Sequence, residues 1–319
     1  MSDNFSSIAC DLGNQHKCCW LQHLRDLRGG FYMDKIKLED TLSPFEVREG
    51  EELIRVMPKI DCHYIELNDL QKNIICAVNK WLILNSYLLQ CYLNKIGINI
   101  TPKECKYQLK LLSQNNYLQK MEFHLNGTVA NCRAYSVGRK GRGWLSAAGK
   151  IIRLSGYIDQ CGPLQVKKIL SANQMIIGIL NAELSNNTGT SQIVKYNEGN
   201  KSAKYIFRAY GFINDEKSSY IVEPYRKKNH CIDNLKEKLK RMDMVLKHKE
   251  GCNIIFGNNL KILIVAENKY QMEGLMEILK RYNYKAFSLA FSYDRAVLEE
   301  EEKIFYLNKK SFWKKLLVG

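Results

Sequence analysis

Between residues 69 and 115 the apolar positions recur every three to four residues in three blocks separated by breakers, the pattern of three short amphipathic helices. Leu70, Ile74, Ile75, Val78, Trp81 and Leu82, after an Asn68-Asp69 start, predict a helix over 69–83. A second runs from Ser86 through Tyr87, Leu88, Cys91, Tyr92 and Leu93 and stops at Gly97, a residue that tolerates the left-handed turn of a helix end. Thr101-Pro102 then supplies a cap and a first-turn proline for a third helix, 102–115. At 100° per residue this third helix places Cys105, Leu109, Leu112 and Asn116 on one face and Lys103, Lys106, Tyr107, Lys110 and Gln114 on the other. The segments 117–123 and 134–137 around Asn126-Gly127 predict a β-hairpin with a tight turn. Gly138-Arg139-Lys140-Gly141-Arg142-Gly143 follows and is expected to be a flexible cationic stretch.

Further on, Pro163 opens a helix over about 164–184 whose apolar residues (Val166, Ile169, Leu170, Met175, Ile176, Ile177, Ile179, Leu180) cover most of its circumference, so it must be buried, against flanking domains or in a dimer. Strands are expected at 192–196, 205–213 and 220–225, the last two joined by the turn-rich 214–218, and a helix at 233–249. The continuous apolar run 260–266 predicts a strand buried on both faces. A helix at 270–281 and strands at 285–293 and 303–307 complete an α/β unit. Residues 1–60, with Gly29-Gly30, Pro44 and Pro58 as breakers, lack a long periodic element and are expected to be an arm or accessory segment. The division is thus 1–60, 61–150, a connecting helix in 151–187, and 188–319.

No apolar run approaches the roughly 18 residues of a membrane span. The start Met1-Ser2-Asp3-Asn4 carries no basic segment leading into an apolar one, so a cytoplasmic location is expected. Eleven cysteines in such a chain are read as thiols. Cys10, His16, Cys18, Cys19 and His23 have ligand chemistry without a zinc spacing, and no metal or cofactor is expected.

The formal charge is +15, and its position changes the picture. Residues 1–60 carry 8 basic and 10 acidic side chains, whereas 61–150 carry 12 and 5 and 151–250 carry 17 and 10. The excess therefore lies in the periodic part of the chain, a basic surface suited to a polyanion. Three helices and a hairpin in this order describe a winged helix-turn-helix, with the polar face of the third helix in the major groove of double-stranded DNA and Arg133, Arg139, Lys140 and Arg142 on the adjacent backbone.

With Ala134-Tyr135-Ser136-Val137-Gly138-Arg139-Lys140-Gly141-Arg142 after the hairpin, and Ile221-Val222-Glu223 at a strand end before a Lys-rich helix, the chain resembles the replication-relaxation family of plasmid and mobile-element proteins. That resemblance implies an α+β protein: a winged helix joined to a restriction-endonuclease-like domain of the PD-(D/E)xK type. It departs from that pattern at the metal site, which requires a carboxylate on one strand and an acid-x-Lys on the next. Here Phe207-Arg208-Ala209-Tyr210-Gly211 and Glu223-Pro224-Tyr225 offer one carboxylate and no lysine, so the domain is expected to be degenerate and non-catalytic. Asp215 and Glu216 are the remaining acids nearby, and Glu223 is expected to be a surface or structural carboxylate paired with Arg226 or Lys228. Lys236, Lys238, Lys240 and Arg241 form a possible second DNA contact. GxxxxGK[ST], HExxH and GxSxG motifs are absent, and Gly138-x-x-Gly141-x-Gly143 is a weaker phosphate loop than it is a wing. The expectation is a homodimeric, sequence-specific DNA-binding protein acting in replication or transcription. The alternatives are a Mg²⁺-dependent endonuclease and an interaction scaffold.

Overall fold

In the computed structural model, the described residues are 43, 45–58, 65–153, 155–179, 188–196, 205–214, 219–227, 231–248, 252, 254, 256–257, 259–296, 304–306 and 314–316. Residues 42–319 belong to one unit; 1–41 form another, and it lies outside the described residues together with the Cys10–His23 group. The architecture is mixed α+β with two sheets.

The three predicted helices are present as α1 (Asp69–Trp81), α2 (Ser86–Lys95) and α3 (Pro102–Gln114). Each starts on a side-chain cap: Asn68 accepts from the amide of Gln71, Asn85 from that of Leu88 and Thr101 from that of Glu104, so amides that the helix cannot satisfy find partners. The hairpin is β2 (Leu118–Leu125) and β3 (Thr128–Val137), and its tip residues Asn126 and Gly127 have φ of 51° and 75°, as a mirror-image turn demands. A strand not anticipated, β1 (Glu52–Val56), pairs antiparallel with β2, so the segment expected to be irregular contributes an edge of a three-stranded sheet. On the far side of β3, Leu84 and Tyr135 exchange two backbone hydrogen bonds of 3.0 and 2.8 Å, tying the α1–α2 link to the sheet.

The expected flexible Gly-Arg-Lys stretch is instead a helix, α4 (Arg139–Ala147). Two of the glycines are packing positions: a Cβ on Gly138, which precedes the helix, would lie 2.5 Å from the Asn116 carbonyl oxygen and one on Gly141 2.2 Å from that of Tyr117. They let α4 lie against the backbone beyond α3, which rules out both the wing and the phosphate-loop readings of that motif. A short α5 (Ser155–Gln160), also unanticipated, leads to α6 (Pro163–Ile179).

The second sheet contains β4 (Thr188–Tyr196), β5 (Tyr205–Asn214), β6 (Ser219–Pro224), β7 (Leu260–Ala266), β8 (Ser288–Tyr293), β9 (Ile304–Tyr306) and β10 (Lys314–Leu316), in the spatial order β10-β9-β8-β7-β6-β5-β4. β4, β5 and β6 are antiparallel neighbours, while β6, β7 and β8 run parallel through the crossover helices α7 (Cys231–Leu246) and α8 (Lys269–Leu279). One sheet face packs on α6 through Ile213, Val222, Leu263, Val265 and Ala290; the other packs on α7 and α8 through Ile221, Ile262, Ile264 and Phe291.

This placement accounts for the apolar excess of α6. Ile169, Met175, Ile176 and Ile177 are buried within the chain, in one core that also holds the residues of α1–α3. Asn173 donates to the carbonyls of Trp81 and Ile83 at 2.9 and 2.8 Å, so the helix clamps both halves. The expected dimer contact on α6 is therefore corrected: its apolar surface is used inside the chain. Leu180 lies outside the described residues.

Past the carboxyl ends of β6, β7 and β8 lies a buried polar knot. Arg226 Nη2 donates to Asp294 at 3.0 Å, Ser171 donates to the same carboxylate at 2.6 Å, and Ser43 also donates to it. Glu267 accepts from Gln271 at 3.1 Å, but its other carboxylate oxygen has no partner among the described residues. Burial pushes the Glu267 pKa up, against the pull of Arg226. A raised folded-state pKa makes this group's contribution complete below the ordinary glutamate value of about 4.3 and lost as pH rises through the raised value. Glu267→Gln should therefore unfold at a higher temperature than the parent at pH 8, with the difference closing near pH 4. A variant melting below the parent at pH 8 would contradict this account.

Candidate nucleic-acid interface

On α3, Cys105, Gln108, Leu109 and Leu112 are buried, whereas Lys103, Lys106, Tyr107, Lys110 and Gln114 are all exposed. The polar face anticipated from periodicity is thus present in full. Tyr107 is 58% exposed, an unusual degree for a large ring on a packed helix. What periodicity missed is Gln108. Its amide accepts from Gln71 of α1 at 3.0 Å and donates to Glu104 at 2.6 Å, while Gln71 also caps its own helix. A buried amide chain of this kind fixes the rotation of α3 against α1, because slippage would leave polar groups unpaired.

The cations assigned to the hairpin are engaged differently from expectation. Arg133 lies 3.3 Å from Glu122, which also pairs with Lys120 at 2.5 Å, and the Lys120 hydrogen bond chiefly holds the Glu122 pKa below its usual range. The hairpin tip, Asn126–Val129, is exposed and uncharged. Arg142 is half-buried and 3.8 Å from Asp159. Arg139 is exposed beside the end of α3, its amide donating to Asn116 at 3.3 Å, and Lys140 is half-exposed next to it.

Glu223 is corrected most. It is buried, 2% exposed; Arg226 turns to Asp294 instead, and Lys228 lies outside the described residues. Lys238 of α7 donates to one of its oxygens and Lys168 of α6 lies 3.9 Å from the other. Both ammonium groups also sit over the ring of Tyr210, at 4.7 and 5.1 Å. Burial, and secondarily the Glu223 charge, push the Tyr210 hydroxyl far above its ordinary pKa. Arg208 stacks on Tyr157, 3.6 Å from the ring centre, and donates to Ser191 at 3.1 Å. Tyr225, at the place where a lysine was sought, is in the core.

The four cations of α7 consequently do not make one patch. Lys238 belongs to the Glu223 cluster; Lys236 pairs with Asp233 at 3.3 Å and lies over Tyr282, Lys240 pairs with Glu237 at 2.7 Å, and Arg241 is exposed. A helical wheel contained this signal, since Lys238 falls 60° from Leu235 on the flank of the apolar stripe while Lys236 and Arg241 lie 100° and 120° from it. Lys240 and Arg241 instead line a shallow hollow with Met244, Tyr282 and Tyr284.

Among the described residues, no helix is long and apolar enough to cross a membrane and no three His, Cys, Asp or Glu side chains cluster as metal ligands. Set against models of known families, against characterised proteins and against solved structures, the chain matches none of them.

Proposed function

We propose that this protein binds double-stranded DNA sequence-specifically, in the replication or transcriptional control of a plasmid, phage or conjugative element, with α3 in the major groove. The observation that carries the reading is the exposed face Lys103, Lys106, Tyr107, Lys110 and Gln114 on a helix whose opposite face is locked into the core. The order of elements supports a winged-helix arrangement, including the Leu84–Tyr135 bridge between the first two helices and the hairpin. For the second sheet, an antiparallel β4-β5-β6 followed by a parallel β6-β7-β8 supports the restriction-endonuclease-like reading.

Recognition divides the labour. A glutamine can make paired hydrogen bonds to a base edge, whereas a lysine meets phosphate as a point charge. Gln114→Ala should change the preferred sequence in a selection from random duplexes. Lys106→Ala should weaken all duplexes alike and lower the salt slope by about 1. A non-binding parent in fluorescence anisotropy at low salt would remove the reading altogether. Two inverted half-sites in the selected sequence would mark the bound form as a homodimer.

A second reading, a Mg²⁺-dependent endonuclease, is favoured by Lys238, a lysine delivered to Glu223 from α7 instead of from β6. Two carboxylates would still be required for the ion, and Tyr210 stands on the neighbouring strand; Asp215 and Glu216 lie outside the described residues. Metal-dependent nicking of supercoiled plasmid by the parent but not by Glu223→Ala would establish the enzyme.

A further inference from the structure

The link between α8 and β8 carries three nearly parallel rings. Tyr284 stacks on Phe287 with ring centres 5.0 Å apart and 20° between the planes, and on Tyr282 at 6.4 Å and 17°. Phe287 is rooted in the core, whereas Tyr282, the outer ring, is 38% exposed. The link is pinned to α7, because Asp243 accepts from the amides of Lys285 and Ala286, both at 2.8 Å. Tyr282 and Tyr284 line a hollow of about 450 Å³ with Met244, Lys240 and Arg241, a volume within the roughly 300–1,000 Å³ typical of small-ligand sites. We propose that this hollow takes an unpaired nucleobase stacked on Tyr282, with the phosphate of the same nucleotide on Arg241.

Ring geometry and charge select that ligand class. A stack of parallel rings with an exposed outer member is extended by another flat ring, and every base has a π-face that a tyrosine accepts. A box of rings set edge to face would suit a compact cation, but these rings are stacked, and Lys240 and Arg241 repel cations. The acids at the hollow are already engaged: Glu237 with Lys240 at 2.7 Å, and Asp243 with Lys247 at 2.7 Å besides its two amides. Arg241 is exposed and has no carboxylate at ion-pair distance among the described residues, so it is the cation left for an anion, and its forked donors suit phosphate. Lys236 Nζ is the cation over the Tyr282 ring, at 5.8 Å, and its pair with Asp233 is exposed, so giving way to a base costs little. Because the core and Asp243 already hold the stack, binding requires little further ordering.

The base comes either from a single strand, a source that rests on the nucleic-acid reading above, or from a free nucleotide. The test uses the full chain in two arms: fluorescence anisotropy with a labelled strand of about 12 deoxyadenosines and with the duplex it forms with thymidines, and thermal unfolding with adenosine monophosphate. The parent should bind the strand, Tyr282→Leu should weaken that binding about tenfold, and Tyr282→Phe, which keeps the ring, should stay within about twofold of the parent. Duplex affinity should be the same in all three, because paired bases are not open to stacking and α3 is untouched. Arg241→Gln should weaken strand binding and lower its salt slope by about 0.7. A Tyr282-dependent rise in unfolding temperature with adenosine monophosphate, in a parent that ignores the strand, assigns the site to the free nucleotide. A parent that responds to neither ligand overturns the proposal. So does a Tyr282→Leu variant equal to the parent in both arms, or a Tyr282→Phe variant as weak as Tyr282→Leu, which would mean a hydroxyl contact and no stack. Equal loss of strand and duplex would also overturn it, by marking a general backbone contact. Should Tyr282→Leu not fold, Arg241→Gln decides: an unchanged salt slope together with an unchanged nucleotide response overturns the proposal. A parent that binds the strand but no duplex removes the major-groove reading and leaves this site standing.

Discussion

Between 50 and 200 mM salt the affinity of this protein for duplex DNA should fall about 10²-fold, with a log–log slope near −4, for roughly four neutralised phosphates. Only cations not already engaged within the fold can neutralise phosphate. The whole chain carries +15, and its composition alone would accommodate many phosphate contacts. The structure reduces that number: Arg133 is committed to Glu122, Arg142 lies against Asp159 and Lys140 is engaged as well, leaving Lys103, Lys106, Lys110 and Arg139 around α3 and the start of α4. Each phosphate neutralised releases close to one condensed counterion, and the fourfold rise in salt acts on that release for every contact. Anisotropy titrations across that range check it. An affinity flat with salt would sink the nucleic-acid reading, and a slope steeper by about 2 would mean that the arginines of the hairpin and α4 leave their carboxylates on binding.

Asp294→Leu should destabilise the folded unit by about 3–5 kcal/mol, because it strands a buried arginine. Arg226 has no side-chain exposure, and Asp294 is its one carboxylate at ion-pair distance among the described residues. Asp294 also accepts from Ser171 of α6 and from Ser43, and its carbonyl accepts from Gln174 of α6, so three other segments meet on one residue. Burial alone drives the Asp294 pKa up, and the Arg226 charge opposes that rise. The two opposing contributions explain why removing one partner costs more than removing both. Arg226→Leu/Asp294→Leu should recover most of the loss, since an apolar pair of similar volume needs no desolvation. Chemical denaturation of the three variants tests this. A single variant within about 1 kcal/mol of the parent would mean that water reaches the knot and the charge is not stranded.

The elements that periodicity made legible are those whose stability is local. The caps Asn68, Asn85 and Thr101, the Gly97 stop, the Asn126-Gly127 turn and the apolar run 260–266 each act within a few residues, and the corresponding helices, hairpin and strand stand close to where those signals place them. The exposed face of α3 was legible for the same reason, because helical geometry alone separates Lys103, Lys106, Tyr107, Lys110 and Gln114 from the buried side. β1 was not legible. Its burial pattern is weak and it exists because β2 offers an unpaired edge, a partner about 70 residues away. Gly138 and Gly141 were misread because a glycine needed for close approach looks in sequence like a glycine needed for flexibility.

Local sequence therefore determined which segments are helices and strands, which face of each is polar and where the basic excess begins. Tertiary structure decided which distant charges meet. Glu223 with Lys168 and Lys238, Arg226 with Asp294, and Lys167 with Glu51 join residues 15 to 116 positions apart, and their neighbours in sequence, such as Arg226 beside Glu223 or Lys168 beside Lys167, go to different partners. Two residues adjacent in the chain point to different sides of a strand or helix, so the choice of ion pair depends on which layers the packed sheet brings to each side, and no pattern within a segment encodes that.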